Sequence, residues 1–363
     1  AGGTAALSVS AAGGPITYTG GSIVNNGSGN AFDVVQTGGI GSVNINATGN
    51  IFAANGEGIT VRDVATSTGI SVTTGAVTAL TAGKDGIDVQ SQSLTGNVTE
   101  VANGNIQAGN AGMVAAILPA AATGNVDVTA NGSITARFGI DAENFGAGST
   151  TVHTVGPVNV TSGNGVFALT AGGNVAVTTG AVTSTGNTAI IAQQTSAAGS
   201  GTLAITTNGA VSGTTGIAAN NAGSGASTII ANSTVTGTSA EGILVTGAGA
   251  VTVTANDVIT GATRGLSLTG GSGGSGNILV NGTGGFVGGT GDAANILNSG
   301  SGTITVNISG ASSSTGGNGF IVRDTAAGTG ISVTTGSVTA LTAGKNGIDV
   351  QSQSLTGNVT EVA

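Results

Sequence analysis

Gly69 to Ala102 reads GISVTTGAVTALTAGKDGIDVQSQSLTGNVTEVA, and Gly330 to Ala363 reads the same apart from Ala76 becoming Ser337 and Asp85 becoming Asn346. The offset is 330 − 69 = 261 residues, and weaker correspondence extends it to 1–102 against 262–363. A shorter period lies inside the long one. A tag of small residue, apolar, any, apolar appears as Ala6-Leu7-Ser8-Val9, Ala31-Phe32-Asp33-Val34, Gly58-Ile59-Thr60-Val61, Gly86-Ile87-Asp88-Val89 and Gly112-Met113-Val114-Ala115. It continues from Gly139, Gly165, Ala189, Gly216, Gly242, Gly265, Ala293, Gly319 and Gly347, at spacings of 23 to 28 residues. Repetition at such a period decides architecture before any single residue does, because each repeat must bury its apolar face on its neighbours.

Each repeat carries two further alternating patches, such as Ile70-Ser71-Val72 with Val77-Thr78-Ala79, or Val251-Thr252-Val253 with Val258-Ile259-Thr260. Short β-branched alternations bounded by Gly and Asn read as strands. Three strands in a repeat of about 26 residues predict an all-β parallel β-helix, a β-solenoid of about 13–14 rungs. At about 4.8 Å per rung, the 261-residue period spans ten rungs and about 48 Å. A glycine stands two residues before the third-strand apolar residue at Gly49, Gly75, Gly104, Gly132, Gly156, Gly180, Gly209 and Gly336. Several follow Asn, as in Asn103-Gly104, Asn131-Gly132 and Asn208-Gly209, and are expected to turn corners with positive φ. Asn-Gly alone would suggest hairpins, so a meander of hairpins is the structural alternative. The regular spacing of the tag favours the coil, which sets like residue over like.

Composition narrows the function. The chain has 363 residues, 70 of them Gly and 3 Pro, with no G-X-Y period, which excludes collagen. Apolar residues make up 39%, too many for a disordered tail. Charged residues make up only 6%, so Thr, Ser and Asn must supply the polar surface. Net charge is −9 with six scattered basic residues, which argues against nucleic-acid binding. No Cys is present, so disulfide and thiol chemistry are absent. No apolar run is long enough to span a membrane as a helix. The periodicity favours one continuous rod over 1–363 rather than several globular domains. Ala1 to Ala5 match the linker before Gly265. The second copy stops where the first goes on to Asn103-Gly104-Asn105-Ile106, a third strand. A segment of a longer repetitive protein is expected.

The rung pattern, the Gly/Thr/Asn/Val/Ala richness and the lack of Cys resemble the passenger domains of bacterial autotransporters and filamentous-haemagglutinin-like surface proteins, over the whole chain. The resemblance implies a right-handed helix. It also implies secretion to the surface of a Gram-negative cell and work as an adhesin, biofilm factor or stalk.

Candidate chemistry is sparse. His153 is the only histidine and has no cluster of Cys, His or carboxylates beside it in sequence, so no catalytic role is assigned. Asp33, Asp88 and Asp141 share the second position of the first strand, without Lys or Arg in that column, and are read as solvated charges. Arg62-Asp63, repeated as Arg323-Asp324, is read as corner polarity with local ion pairs. Gly288 to Asp292 faintly resembles a calcium nonapeptide, but the nine-residue repeat is missing. One pattern stands out. The outward second position of successive first strands reads Val114, Asp141, Phe167, Ile191, Ala218 and Leu244. Val114, Phe167, Ile191 and Leu244 are therefore candidates for a lateral contact with another copy or a packed loop.

These readings lead to an extracellular structural module acting as stalk, adhesin or fibre, with no catalytic residue, metal or cofactor. Its expected partners are copies of itself, end to end or side by side, and a host surface or matrix ligand. The alternatives are a polysaccharide-active β-helix enzyme, which would need stacked acidic and basic residues, and an ice- or surface-binding solenoid. The latter needs Thr rows in register, which pairs such as Thr252 and Thr254 are not expected to keep.

Overall fold

The computed structural model describes residues 3–64, 67–271, 274, 276–326, 330–353 and 357–363. The match of residues 1–2 to the linker before Gly265, and of 354–356 to 93–95, lies outside the described residues. The chain forms two compact units, Ala1–Gly180 and Ala181–Ala363. Each is a parallel β-solenoid built from three sheets. Every turn contributes one strand to each sheet, as with Ile59–Asp63, Gly69–Thr74 and Val77–Ala79. Among the described residues the first sheet has seven strands in each unit, which bears out the expected rung number. Paired residues lie 23 apart at Ile243 and Leu266 and 28 apart at Ile59 and Ile87. Among the described residues the strand pairings are parallel, which excludes the hairpin meander.

Alternation along the strands builds the core. In Phe32–Gln36 and Val43–Ala47 the odd positions are buried and the even positions are not. Registered pairing then stacks like on like. Phe32, Ile59, Ile87, Met113 and Ile140 follow one another down one interior column of the first unit. Ile190, Ile217, Ile243 and Leu266 do so in the second. All nine are at most 2% exposed, so each turn is closed by its neighbours rather than by itself.

The corner glycines have a different reason from the expected one. Positive φ occurs only at Gly39, Gly69, Gly83, Gly271, Gly274, Gly282, Gly330 and Gly344 among the described residues. None of the corner column is among them. What excludes a side chain there is the backbone of the adjacent turn. A Cβ on Gly104 would lie 2.5 Å from Ala76 N, and one on Gly132 or Gly156 would lie 2.3 Å from the carbonyl oxygen of Gly104 or Gly132. The preceding asparagines do not adopt positive φ either. They stack their amides: Asn131 Nδ2 donates to Asn103 Oδ1 at 2.9 Å in the first unit. In the second, the stack continues from Asn208 through asparagines that no glycine follows: Asn256 donates to Asn232 and Asn232 to Asn208, at 2.8 and 3.0 Å.

A second interior device holds the corner after the first strand. The fifth strand position is polar and buried at Gln36, Asp63, Ser91, Asn144, Thr170, Gln194, Asn221, Asn298 and Asp324. Asn144 Nδ2 donates to Gly124 O at 2.8 Å, and its Oδ1 accepts from Gly146 N at 3.0 Å. Asn221 repeats the arrangement with Gly201 O and Gly223 N, and Asn298 donates within its own corner to Gly302 O. These side chains satisfy loop groups that the sheets cannot reach, which is the condition for burying a corner.

Candidate functional site

The outer face of the first sheet carries most of the candidate residues. In the unit Ala1–Gly180 its second-position column runs Asp33, Thr60, Asp88, Val114, Asp141, Phe167, with each residue paired to the next, as expected. Asp88 is not a solvated charge, however. It is 5% exposed and paired with Arg62. Arg62 stands at the fourth position of the preceding turn, and a long side chain reaches diagonally from there. Gln90 Nε2 also donates to Asp88 Oδ1, at 3.2 Å. Thr60, one turn earlier, receives Asn30 Nδ2 at 2.9 Å and donates to Glu57 Oε2 at 2.7 Å.

The expected local Arg62–Asp63 pair is therefore corrected. Adjacent strand residues point to opposite faces. Asp63 is fully buried inside, where Ser67 Oγ and Ser91 Oγ donate to it. The other unit repeats the diagonal, with Arg323 3.6 Å from Asp349.

The lateral candidates divide between the units. Val114 and Phe167 flank Asp141 in the first, and Ile191 and Leu244 flank Ala218 in the second. Val114, Phe167 and Ile191 are half-buried, and Leu244 is exposed. Each neighbour along the sheet covers part of the next, so the second position is less open than outward placement alone suggests.

Around Asp141 the face deepens. Phe138, Ile140, Asp141, Asn164 and Phe167 line a cleft of about 190 Å³. Burial pushes the Asp141 carboxyl up to about 7, with smaller pushes from Glu143, Asp85 and Asp88. Burial also raises Glu143, two residues along the same strand, and Asp85, whose carboxylate accepts from Asn110 Nδ2 and Ala111 N. Sequence reading placed Asp141 in its column but missed the cleft. Phe138 and Asn164 each directly precede a tag, at Gly139 and Gly165, a position the column reading did not follow.

The other candidates resolve simply. His153 is exposed on the outer face of the second sheet, between Thr129 and Thr178 of the adjoining turns. Among the described residues no three His, Cys, Asp or Glu gather as a metal site. Asp292, from the faint calcium-like stretch, accepts from Asn318 N at 2.9 Å and lies 3.6 Å from Arg264. Arg264 is also 3.7 Å from Glu241. Sequence reading missed this ladder, although Glu241, Arg264 and Asp292 each precede a tag directly.

Hydroxyl rows break, as expected. Thr252 is in register with Thr228 and Leu279, and Thr254 with Ile230 and Asn281, so the rows break there. In the first unit amides interrupt them. Thr17 and Thr19 stand over Asn44 and Asn46, and these over Ser71 and Thr73.

A search of protein-family models, curated proteins and solved structures gives no match for this chain. What the geometry itself establishes is the fold, a three-sheet parallel β-solenoid.

Proposed function

We propose that the chain is a structural repeat module of a large bacterial surface protein, of the autotransporter-passenger or filamentous-haemagglutinin type, working outside a Gram-negative cell as stalk, adhesin or fibre. The observation that carries this reading is the return of one turn geometry. Gly69–Thr74, Val77–Ala79 and Ile87–Ser91 in one unit recur as Gly330–Thr335, Val338–Ala340 and Ile348–Ser352 in the other. Repetition of this kind adds length without adding a new centre of chemistry. The proposal assigns no catalytic step and no cofactor. Electron micrographs of the native cell surface are expected to show filaments with a superrepeat of about 48 Å. Compact particles would overturn the reading.

The same proposal gives the half-buried apolar residues a role in side-by-side association of copies. Phe167→Ser combined with Ile191→Ser is expected to abolish concentration-dependent association in sedimentation velocity while leaving the β-type circular dichroism unchanged. Association that survives both changes would remove the lateral contact from the proposal.

A further inference from the structure

The outer face of the third sheet in the unit Ala1–Gly180 carries a groove that the stalk reading does not use. It lies between two columns of residues. Gln107 and Thr135 form one, exposed and in register on the strands Ile106–Ala108 and Ile134–Ala136. The residue that follows each third strand forms the other, as Leu80, Gly109 and Arg137. Between them the groove, over buried Ala108 and Ala136, has a volume of about 370 Å³. That is the size of a small ligand pocket.

Leu80 and Arg137 stand two turns apart, about 10 Å along the sheet. The residue between them has no side chain, and the fold forbids one. A Cβ on Gly109 would lie 2.1 Å from Thr81 O. The result is a notch with an apolar wall at one end and a cation at the other. The wall is open to solvent, since Leu80 is 61% exposed. The cation has no counter-ion. Arg62, Arg264 and Arg323 each pair with a carboxylate, whereas among the described residues Arg137 pairs with none. Arg137 is nevertheless held in place. Its guanidinium sits 5.2 Å from the Phe138 ring centre, and its Nε donates to Ser162 Oγ at 3.1 Å. These contacts fix the guanidinium plane and leave the N–H donors of both terminal nitrogens.

A fixed guanidinium edge matches a carboxylate, which accepts parallel N–H bonds. A phosphate monoester fits less well, because it brings about two negative charges to a single cation, on a chain of net charge −9. The notch adds a second requirement. An aliphatic group beside the carboxylate reaches over Gly109 to Leu80 and takes the column position that the chain leaves bare. An amide on the same carbon meets Gln107, which both donates and accepts. A uronic acid supplies the carboxylate, but its hydroxyl-covered ring leaves Leu80 without an apolar partner. Carboxylate, aliphatic branch and amide on one carbon are the end of a peptide.

We propose that this groove captures the free C-terminus of a peptide ending in an aliphatic residue, with Arg137 on the carboxylate, the aliphatic side chain over Gly109 against Leu80, and Gln107 and Thr135 on the last peptide group. The site stands independently of the stalk or adhesin reading.

The test is titration of the full chain with N-acetyl-Ala-Leu, read from NMR shifts of the Leu80 methyl and Arg137 guanidinium signals. Saturable binding is expected, and the C-terminal amide of the same dipeptide should bind at least about tenfold more weakly, the worth of a hydrogen bond to a charged group. N-acetyl-Ala-Gly, which keeps the carboxylate without the branch, should bind severalfold more weakly. Arg137→Met keeps the stem and should lose the distinction between acid and amide. Leu80→Ser, at an exposed position, should lose the distinction between Leu and Gly. Both variants should keep the circular dichroism of the parent. Equal binding of acid and amide, a distinction that survives Arg137→Met, D-glucuronate binding more tightly than the dipeptide, or no saturable shift with any of them would each overturn the assignment.

Discussion

Gly139→Ala is expected to destabilise the unit Ala1–Gly180 by about 3 kcal/mol, the upper end of the usual overpacking cost. Gly139 lies in the strand Phe138–Asn144 at the small position that opens the tag. A Cβ there would come within 1.9 Å of Gly165 O and 2.6 Å of Val158 Cγ1. Neither neighbour can yield cheaply. Gly165 O accepts the inter-turn hydrogen bond from Ile140 N at 3.0 Å, and Gly139 N itself donates to Asn164 O at 3.0 Å. Val158 is fully buried in the third sheet. One methyl group must therefore push apart two turns whose separation the ladder fixes, and both bonds stretch with it. The conformation of Gly139 is not the cause, since its φ is not positive. Gly172→Ala is the matched control in the same unit, because the nearest atom to its Cβ would be Ala147 Cα at 3.6 Å. It is expected to change stability by less than about 0.5 kcal/mol. Thermal unfolding of the full chain should separate the two by about 6–12 °C. Equal midpoints would show that the turns can spread, and that close approach is not what reserves this column for small residues.

Gly139 and the corner glycines together show what a sequence can and cannot reveal. The tag period and the alternation fixed the columns in advance. Asp33, Thr60, Asp88, Val114, Asp141 and Phe167 stand in the order that spacing alone assigns them. A bare Gly, however, records only that a Cβ is missing. At Gly104 the cause is the backbone of the preceding turn rather than a left-handed conformation, and only three-dimensional stacking distinguishes the two. Asp88 failed for a related reason. Its partner Arg62 is one turn back and two positions on, a diagonal that a column-by-column reading does not inspect. Asp63 could have been placed correctly, because alternation sends it to the face opposite Arg62. The cleft was missed because Phe138 and Asn164 stand directly before the tags at Gly139 and Gly165, a column that the reading did not follow.

Glu100 is the residue where alternation and chemistry conflict most sharply, and Glu100→Val is expected to stabilise the first unit by about 1–3 kcal/mol near neutral pH. In Asn97–Ala102 the buried positions are Val98, Glu100 and Ala102, while Val101 lies outward. Glu100 is fully buried in the column between Val72 and Val128. Both of its carboxyl oxygens are without a hydrogen-bond partner. Burial raises the carboxyl well above its ordinary range, and the charge of Asp88 pushes it further the same way. The folded unit therefore takes up a proton that the unfolded chain lacks above the usual Glu value of about 4.3. A raised folded value contributes stability that is complete below that pH and is lost as pH climbs through the folded value. Asp141, pushed up to about 7, acts with the same sign. The parent should therefore be more stable in mild acid than in mild alkali. Valine has nearly the volume of glutamate and continues the aliphatic column, so it removes both the desolvated oxygens and the proton uptake. Glu100→Gln keeps a polar group buried but cannot titrate, so it should flatten the pH slope without the full gain. Amide hydrogen exchange at Val72, Val98 and Val128 between about pH 5 and 8 reads the effect locally, after correction for intrinsic exchange. Loss of protection in Glu100→Val would mean that the carboxyl is held by a partner inside the coil and contributes to the fold.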